Sequence, residues 1–315
     1  MYSCIKSFMD NDKENGLLLL DMPTGFGKTY SVIKYIAEFI KENSDTGKKI
    51  FFITTLKKNL PVEELKRRLD EMELLHLFEE RVIELKSNVD TVVANYNSSM
   101  YNDIPLEIRN SEEFKNFKAD VEFLKKHTGQ NSDLVRSVRN NFSNNNERIF
   151  RAYMQNTFAR NFPSIKERLL AIKTDSAWQW VGKLYPSVFT SEKQVIFMSM
   201  DKFICPHSTI VEKSYYFYNS KISNGALVFI DEFDATKGTI LKNIIENGLK
   251  EKIDYIELFN HIYAVLKNKT FPERLFIPSV HRMNSDYKDQ SLKDVLKDLI
   301  KLADEIYDTY SLNFN

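Results

Sequence analysis

Gly16-Leu-Leu-Leu-Leu-Asp21-Met22-Pro23-Thr24-Gly25-Phe26-Gly27-Lys28-Thr29 is the stretch on which the reading of this chain turns. Four consecutive leucines after a polar run, residues 11–15, read as a short buried strand of a parallel sheet. The turn at 23–27 carries two glycines. Beyond it Val32, Ile33, Ile36, Ala37 and Ile40 fall at helical spacing. Strand, glycine-bearing turn and helix, in that order, are the setting a phosphate loop requires. Glycines let the backbone wrap a polyphosphate with successive N–H groups pointing inward, and the helix N-terminus adds a favourable partial charge. The residues expected to form that grip are Pro23, Thr24, Gly25, Phe26, Gly27, Lys28 and Thr29. Lys28 is placed to neutralise the β- and γ-phosphates, and the Thr29 hydroxyl to ligate magnesium.

Working outward, residues 45–47 break the helical pattern and Lys49-Ile-Phe-Phe-Ile-Thr-Thr55 reads as a second strand. The resulting strand–loop–helix–strand unit begins a doubly wound sheet. From Pro61 to about Trp180 leucine, lysine and glutamate recur at helical spacing, with Asn-rich breaks at 95–102 and 140–146 and a possible strand at 81–85. The run Asn140-Asn-Phe-Ser-Asn-Asn-Asn146 is expected to be a loop. Strand character returns at 194–199 and 226–231. Helices follow, the last with an apolar face of Leu292, Val295, Leu296, Leu299, Ala303 and Ile306.

The second chemical signal is Val228-Phe-Ile-Asp231-Glu232-Phe233-Asp234, an apolar strand ending in carboxylates. In a sheet that carries a phosphate loop, Asp231 is expected beside that loop, holding magnesium directly or through water. Glu232, one residue on, can orient and deprotonate the attacking water, which makes Glu232 and Lys28 the candidate catalytic residues. Asp234 would couple nucleotide state to neighbouring loops. Taken alone, an acidic pair often only caps a helix; the upstream loop gives this one its meaning.

Together, Asp-Met-Pro-Thr-Gly-Phe-Gly-Lys-Thr and Asp-Glu-Phe-Asp resemble the Walker A and Walker B motifs of superfamily 2 DExD/H-box helicases. The Met-Pro-Thr-Gly wording is similar to that of the iron–sulfur DNA helicases and of helicase modules in CRISPR and other phage-defence systems. The resemblance implies ATP and Mg2+ as cofactors, a RecA-like lobe, and a nucleic-acid strand as partner. By position it also implies Thr54, Thr55 and Lys57 as contacts to a sugar-phosphate backbone, unless they are merely a strand end with solvated lysine. Ser199-Met-Asp201-Lys202-Phe203 is a looser match to a strand-contacting loop.

The departures matter as much. Met22 stands where the general loop has glycine. The four cluster cysteines of the iron–sulfur helicases are missing: the chain holds only Cys4 and Cys205, without metal spacing. No Ser-Ala-Thr-like motif follows Asp234, and no Arg-bearing second lobe is recognisable. The resemblance covers about 110 of the 315 residues, in separate pieces. A second lobe would have to come from a downstream segment or a partner protein, and hydrolysis by this chain alone is expected to be weak.

Composition sets the remaining bounds. A 43% hydrophobic, 13% aromatic chain is globular. Net charge is zero, so a strongly basic nucleic-acid protein is not written into the totals. Residues 118–173 nevertheless hold eleven Lys and Arg against five Asp and Glu. That excess is either a phosphate-contacting face or an ordinary solvated one. His76, His127, His207, His261 and His281 lack metal spacing. Trp178 and Trp180 either stack on bases or pack, and residues 215–218 read first as a strand or core edge. Without an apolar span or signal segment the chain is expected to be soluble and cytoplasmic.

The expected architecture is α/β. It has a RecA-like lobe with a parallel sheet from residues 1–60 and 190–240, a mainly helical insertion at 61–189, and a helical C-terminal segment at 241–315. The expected function is the ATP-binding and hydrolysing lobe of a superfamily 2 helicase or translocase. The alternative is a nucleotide-dependent switch that a partner reads. A P-loop kinase is weaker, because no arginine-bearing lid is recognisable.

Overall fold

The computed structural model describes residues 2–10, 26–42, 47–231, 233–249 and 292–310, with Gly16, Leu18, Phe259, Tyr263 and Ala264. The chain divides into two compact units, Met1–Leu241 and Lys242–Asn315.

The first unit is mixed α/β. Among the described residues its sheet has four parallel strands, β1 (Ile50–Thr54), β2 (Val82–Glu84), β3 (Val195–Ser199) and β4 (Leu227–Ile230), in the order β2-β3-β1-β4. Ile50 lies opposite Val195 on one side and Leu227 on the other. Every residue of β1 and β3 is buried, which is why these strands read as unbroken apolar runs rather than alternating ones. Ile50, Phe52, Val195 and Phe197 face one helical layer: α1 (Tyr2–Asp10), α2 (Lys28–Glu42), α3 (Val62–Glu71) and α4 (His76–Arg81). Their neighbours Phe51, Ile53, Ile196 and Met198 point the other way and pack with Ile83, Met200 and Phe217. The strand expected over 16–21 lies outside the described residues apart from Gly16 and Leu18.

The amino-terminal edge of the sheet is tied shut by lysines. Lys49 Nζ donates to the Ser191 and Lys193 carbonyls at 2.8 and 2.6 Å, and Lys193 Nζ to those of Glu79 and Glu80 at 2.6 and 3.0 Å. Burial pulls both ammonium pKa values down.

Residues 88–188 form helices α5 (Asn88–Asn95), α6 (Met100–Asp103), α7 (Leu106–Asn110), α8 (Glu112–Lys126), α9 (Asp133–Asn141), α10 (Glu147–Asn161), α11 (Ile165–Thr174) and α12 (Gln179–Leu184). They build a core of their own, centred on Phe114, Phe117, Phe142, Phe150, Phe158 and Trp180. Within the stretch read as insertion, α3, α4 and β2 instead join the sheet and its helical layer, and the possible strand at 81–85 is β2.

The loop expected at 140–146 is a correction. Phe142–Asn146 is one turn of π-helix joining α9 to α10 without a break. Asparagine disfavours helix interiors, but tertiary packing overrides that preference. Phe142 is fully buried, its ring 5.5 Å from that of Phe117. Asn145 donates to the Asn141 side chain and Asn146 to Asp120, each at 2.8 Å. The asparagines thus face outward while one phenylalanine anchors the turn.

After β3 comes α13 (Met200–Ile204), and after β4 comes α14 (Phe233–Leu249). In the second unit the helix Leu292–Tyr310 buries Ala303, and the Tyr263 hydroxyl donates to Asp304. Leu299 is about half exposed, so the expected apolar face is only partly covered there; the side chains of Leu292, Val295 and Leu296 lie outside the described residues. No described helix is long and apolar enough to cross a membrane.

Candidate functional site

α2 begins at Lys28. Gly27 precedes it with φ +70°, a left-handed conformation open to glycine, and the Ser31 N–H bonds back to the Gly27 carbonyl at 2.9 Å. The first-turn N–H groups of such a helix have no intrahelical acceptor, and they give this terminus a positive end. Phe26 is exposed on the approach to it. Pro23, Thr24 and Gly25 lie outside the described residues.

β4 delivers Asp231 to the same place. The Asp231 N–H continues the sheet ladder one step past Ile230, donating to the Ile53 carbonyl at 3.0 Å. This fixes the backbone and aims the half-buried carboxylate off the strand end. The Thr29 hydroxyl lies 3.5 Å from Asp231 Oδ2, joining residues 202 apart in the chain. Two hard oxygens at that spacing suit a small divalent cation. Adjacent ligands of an octahedral magnesium lie about 3 Å apart, and the ion keeps several waters or phosphate oxygens besides. Among the described residues no group of three His, Cys, Asp or Glu side chains could hold a metal, so a cation here would depend on those additional ligands. Glu232 lies outside the described residues, as do the side chains of Phe233 and Asp234.

Thr236 is a site residue that the sequence reading missed. Fully buried in the first turn of α14, its hydroxyl lies 3.4 Å from that of Thr55 and 3.5 Å from the Asp231 carbonyl. It staples the turn after β4 to the turn after β1. The available signal was a threonine five residues after Asp231, where the acidic strand end passes into a helix.

The three residues assigned to a nucleic-acid backbone have internal partners. Thr54 is fully buried and donates to the Leu56 carbonyl at 2.8 Å, so its hydroxyl closes a turn instead of facing solvent. Thr55 meets Thr236. Lys57, half exposed, lies 3.7 Å from Asp90 on α5. Burial drives the Asp90 carboxyl upward in pKa, but the Ser87 hydroxyl, Arg139 and Lys57 outweigh it and hold the group below its ordinary value. In the looser match, Ser199 is buried, Asp201 is exposed, and Lys202 is largely enclosed, its ammonium pushed down by burial and by Lys57 and Arg151.

Much of the basic excess at 118–173 is likewise consumed within the fold. Arg151 binds Glu147, which is almost fully buried, and Ser208. Arg168 donates to the carbonyls of Phe162, Pro163 and Val211. Arg139 binds Asp90, and Lys173 binds Glu192. Trp180 is core and donates to the Ala177 carbonyl at 2.9 Å, while Trp178 packs on Phe158 and Phe162. Tyr215 and Phe217 turn inward while Tyr216 and Tyr218 are exposed. His207 is buried beside Phe217, and burial, aided by Lys202 and Arg151, pushes its pKa down to about 3.

Neither a protein-family model nor a curated protein matches the chain.

Proposed function

We propose that this chain binds ATP with magnesium and hydrolyses it as the RecA-like lobe of a superfamily 2 helicase or translocase acting on nucleic acid. One observation carries the reading: the hydroxyl of Thr29, at the helix end that follows the glycine turn, lies 3.5 Å from the carboxylate of Asp231. In this reading the first-turn N–H groups of α2 and the Lys28 ammonium hold the triphosphate. Thr29 and Asp231 would hold the magnesium, which when bound neutralises charge on the phosphate oxygens. Glu232 orients and deprotonates the attacking water. An arginine finger is worth about 10³–10⁵ in rate, so turnover without a second lobe, from a partner or a further segment, is expected to be slow.

The internal engagement of Thr54, Thr55 and Lys57 favours a second reading. Here nucleotide state would be read through the turn after β1 and its Asp90 contact to the insertion, as a switch for a partner protein without unwinding. Stimulation of hydrolysis by single-stranded nucleic acid, with binding that weakens steeply as salt rises, supports the first reading; its absence supports the second.

The direct test is isothermal titration with a non-hydrolysable ATP analogue and magnesium. Lys28→Ala should remove most of the affinity, whereas Glu232→Gln should keep binding and suppress turnover. No binding by the unmodified chain would end both readings.

A further inference from the structure

Tyr30 is the first residue after Thr29, in the opening turn of α2, and 53% of it is exposed. Tyr30 is one of several exposed aromatic rings in this unit, with Phe26, Tyr216 and Tyr218, and it belongs to none of the cores around the sheet. Its ring is not bare, however. The Arg68 guanidinium of α3 lies 4.9 Å from the ring centroid. Arg67, one residue earlier, spends its charge on Glu64 and Glu71, while Arg68 has no carboxylate partner among the described residues. The Tyr30 ring thus has a cation beside it and a large area open to solvent. Packing does not require it: α2 meets the sheet through Val32, Ile33, Ile36 and Ile40 on another side.

Position supplies the missing reason. The turn of α2 that would hold the phosphates also carries Tyr30, so the ring is within a nucleotide's length of a triphosphate held there. We propose that Tyr30, backed by Arg68, is the base-side wall of the nucleotide site. The base of a nucleoside triphosphate stacks against this pair while the triphosphate lies at the start of α2. Stacking uses the π-face common to every base, so the wall selects nucleotides over inorganic polyphosphate and discriminates weakly among bases. The inference rests on the nucleotide reading above and adds the part of the ligand that reading left unassigned.

The test compares two ligands by isothermal titration with magnesium: a non-hydrolysable ATP analogue, and inorganic tripolyphosphate, which has the charge and no base. Tyr30→Ala should weaken the nucleotide about 5- to 150-fold, the range that base–aromatic stacking covers, and leave tripolyphosphate unchanged. Tyr30→Phe, which keeps the ring, should bind both ligands as the unmodified chain does. Unchanged nucleotide affinity in Tyr30→Ala, or equal loss of both ligands, overturns the wall. If the alanine variant melts early, Tyr30→Leu keeps apolar bulk without the π-face and carries the same comparison. A chain that binds tripolyphosphate but gains nothing from the base retains its phosphate site and loses the wall. An unmodified chain that binds neither ligand sinks the nucleotide reading and the wall with it.

Discussion

The sheet and the helical insertion of the first unit are built in opposite ways. The strands β2, β3, β1 and β4 come from four distant segments, so the sheet closes only after the chain has passed through the whole insertion. The helices of 88–188 are contiguous in sequence and pack mainly on one another around clustered aromatic rings. Local contacts of that kind form early and at low entropic cost, whereas parallel strands far apart in sequence must wait for long loops to close. The polar groups differ as well. At the carboxyl ends of the strands Thr29, Asp231, Thr55 and Thr236 converge on one small region. In the insertion, Arg151 with Glu147 and Arg168 with three backbone carbonyls serve the fold itself. The lesson is that a count of charges along the insertion says little about their use, because the fold itself consumes many of them.

The sharpest way to break this contrast is to damage one region and observe the other. Phe150 is fully buried, 4.3 Å from the Phe117 ring, and Phe150→Ala should cost the insertion about 3–5 kcal/mol. If the two regions are separable, urea unfolding followed by tryptophan fluorescence, which reports on Trp178 and Trp180, should shift to lower denaturant while nucleotide affinity at low denaturant holds. Parallel loss of affinity would mean that the insertion and the sheet fold as one.

His207 probes the segment between them, packed on Phe217 with Lys202 and Arg151 nearby. Its folded pKa of about 3 lies below the ordinary value of about 6.5, so the unfolded chain takes up a proton that the folded chain refuses. This contribution is complete above about pH 6.5. It is lost as pH falls toward 3, at about 1.4 kcal/mol per pH unit at the steepest. Urea midpoints measured at pH 7 and pH 5 should therefore fall further for the unmodified chain than for His207→Phe. Equal falls would remove His207 from the acid response.

The smallest effect belongs to a local signal. Ser164 and Glu167 form a complete capping box at the start of α11, and Ser164→Ala should cost about 1 kcal/mol, read as a lower urea midpoint with nucleotide affinity unchanged.

Several of these features were legible in the residues. The apolar runs at 49–55, 194–199 and 226–231 are β1, β3 and β4, and the periodic residues after Thr29 form the buried face of α2. Runs and periods are local, and burial on one or both faces writes them directly into sequence. The asparagine run misled because helix propensity is worth only tenths of a kcal/mol per residue, and the burial of Phe142 outweighs it. Thr236 escaped because a threonine in a helix turn has no signature until a second strand end lies beside it. Thr54 and Thr55 resembled surface contacts because sequence does not say where a hydroxyl points.

The sequence by itself determined the start of a helix just after Gly27, the acidic end of an apolar strand, and the helical character of the long middle segment. Each follows from the spacing of neighbouring residues. Only the tertiary structure decided the strand order, the 3.5 Å approach of Thr29 to Asp231 and the pairing of Arg68 with Tyr30. Those depend on which distant segments share a face, and that choice is made by the burial of apolar surface summed over the whole core, a quantity no local window contains.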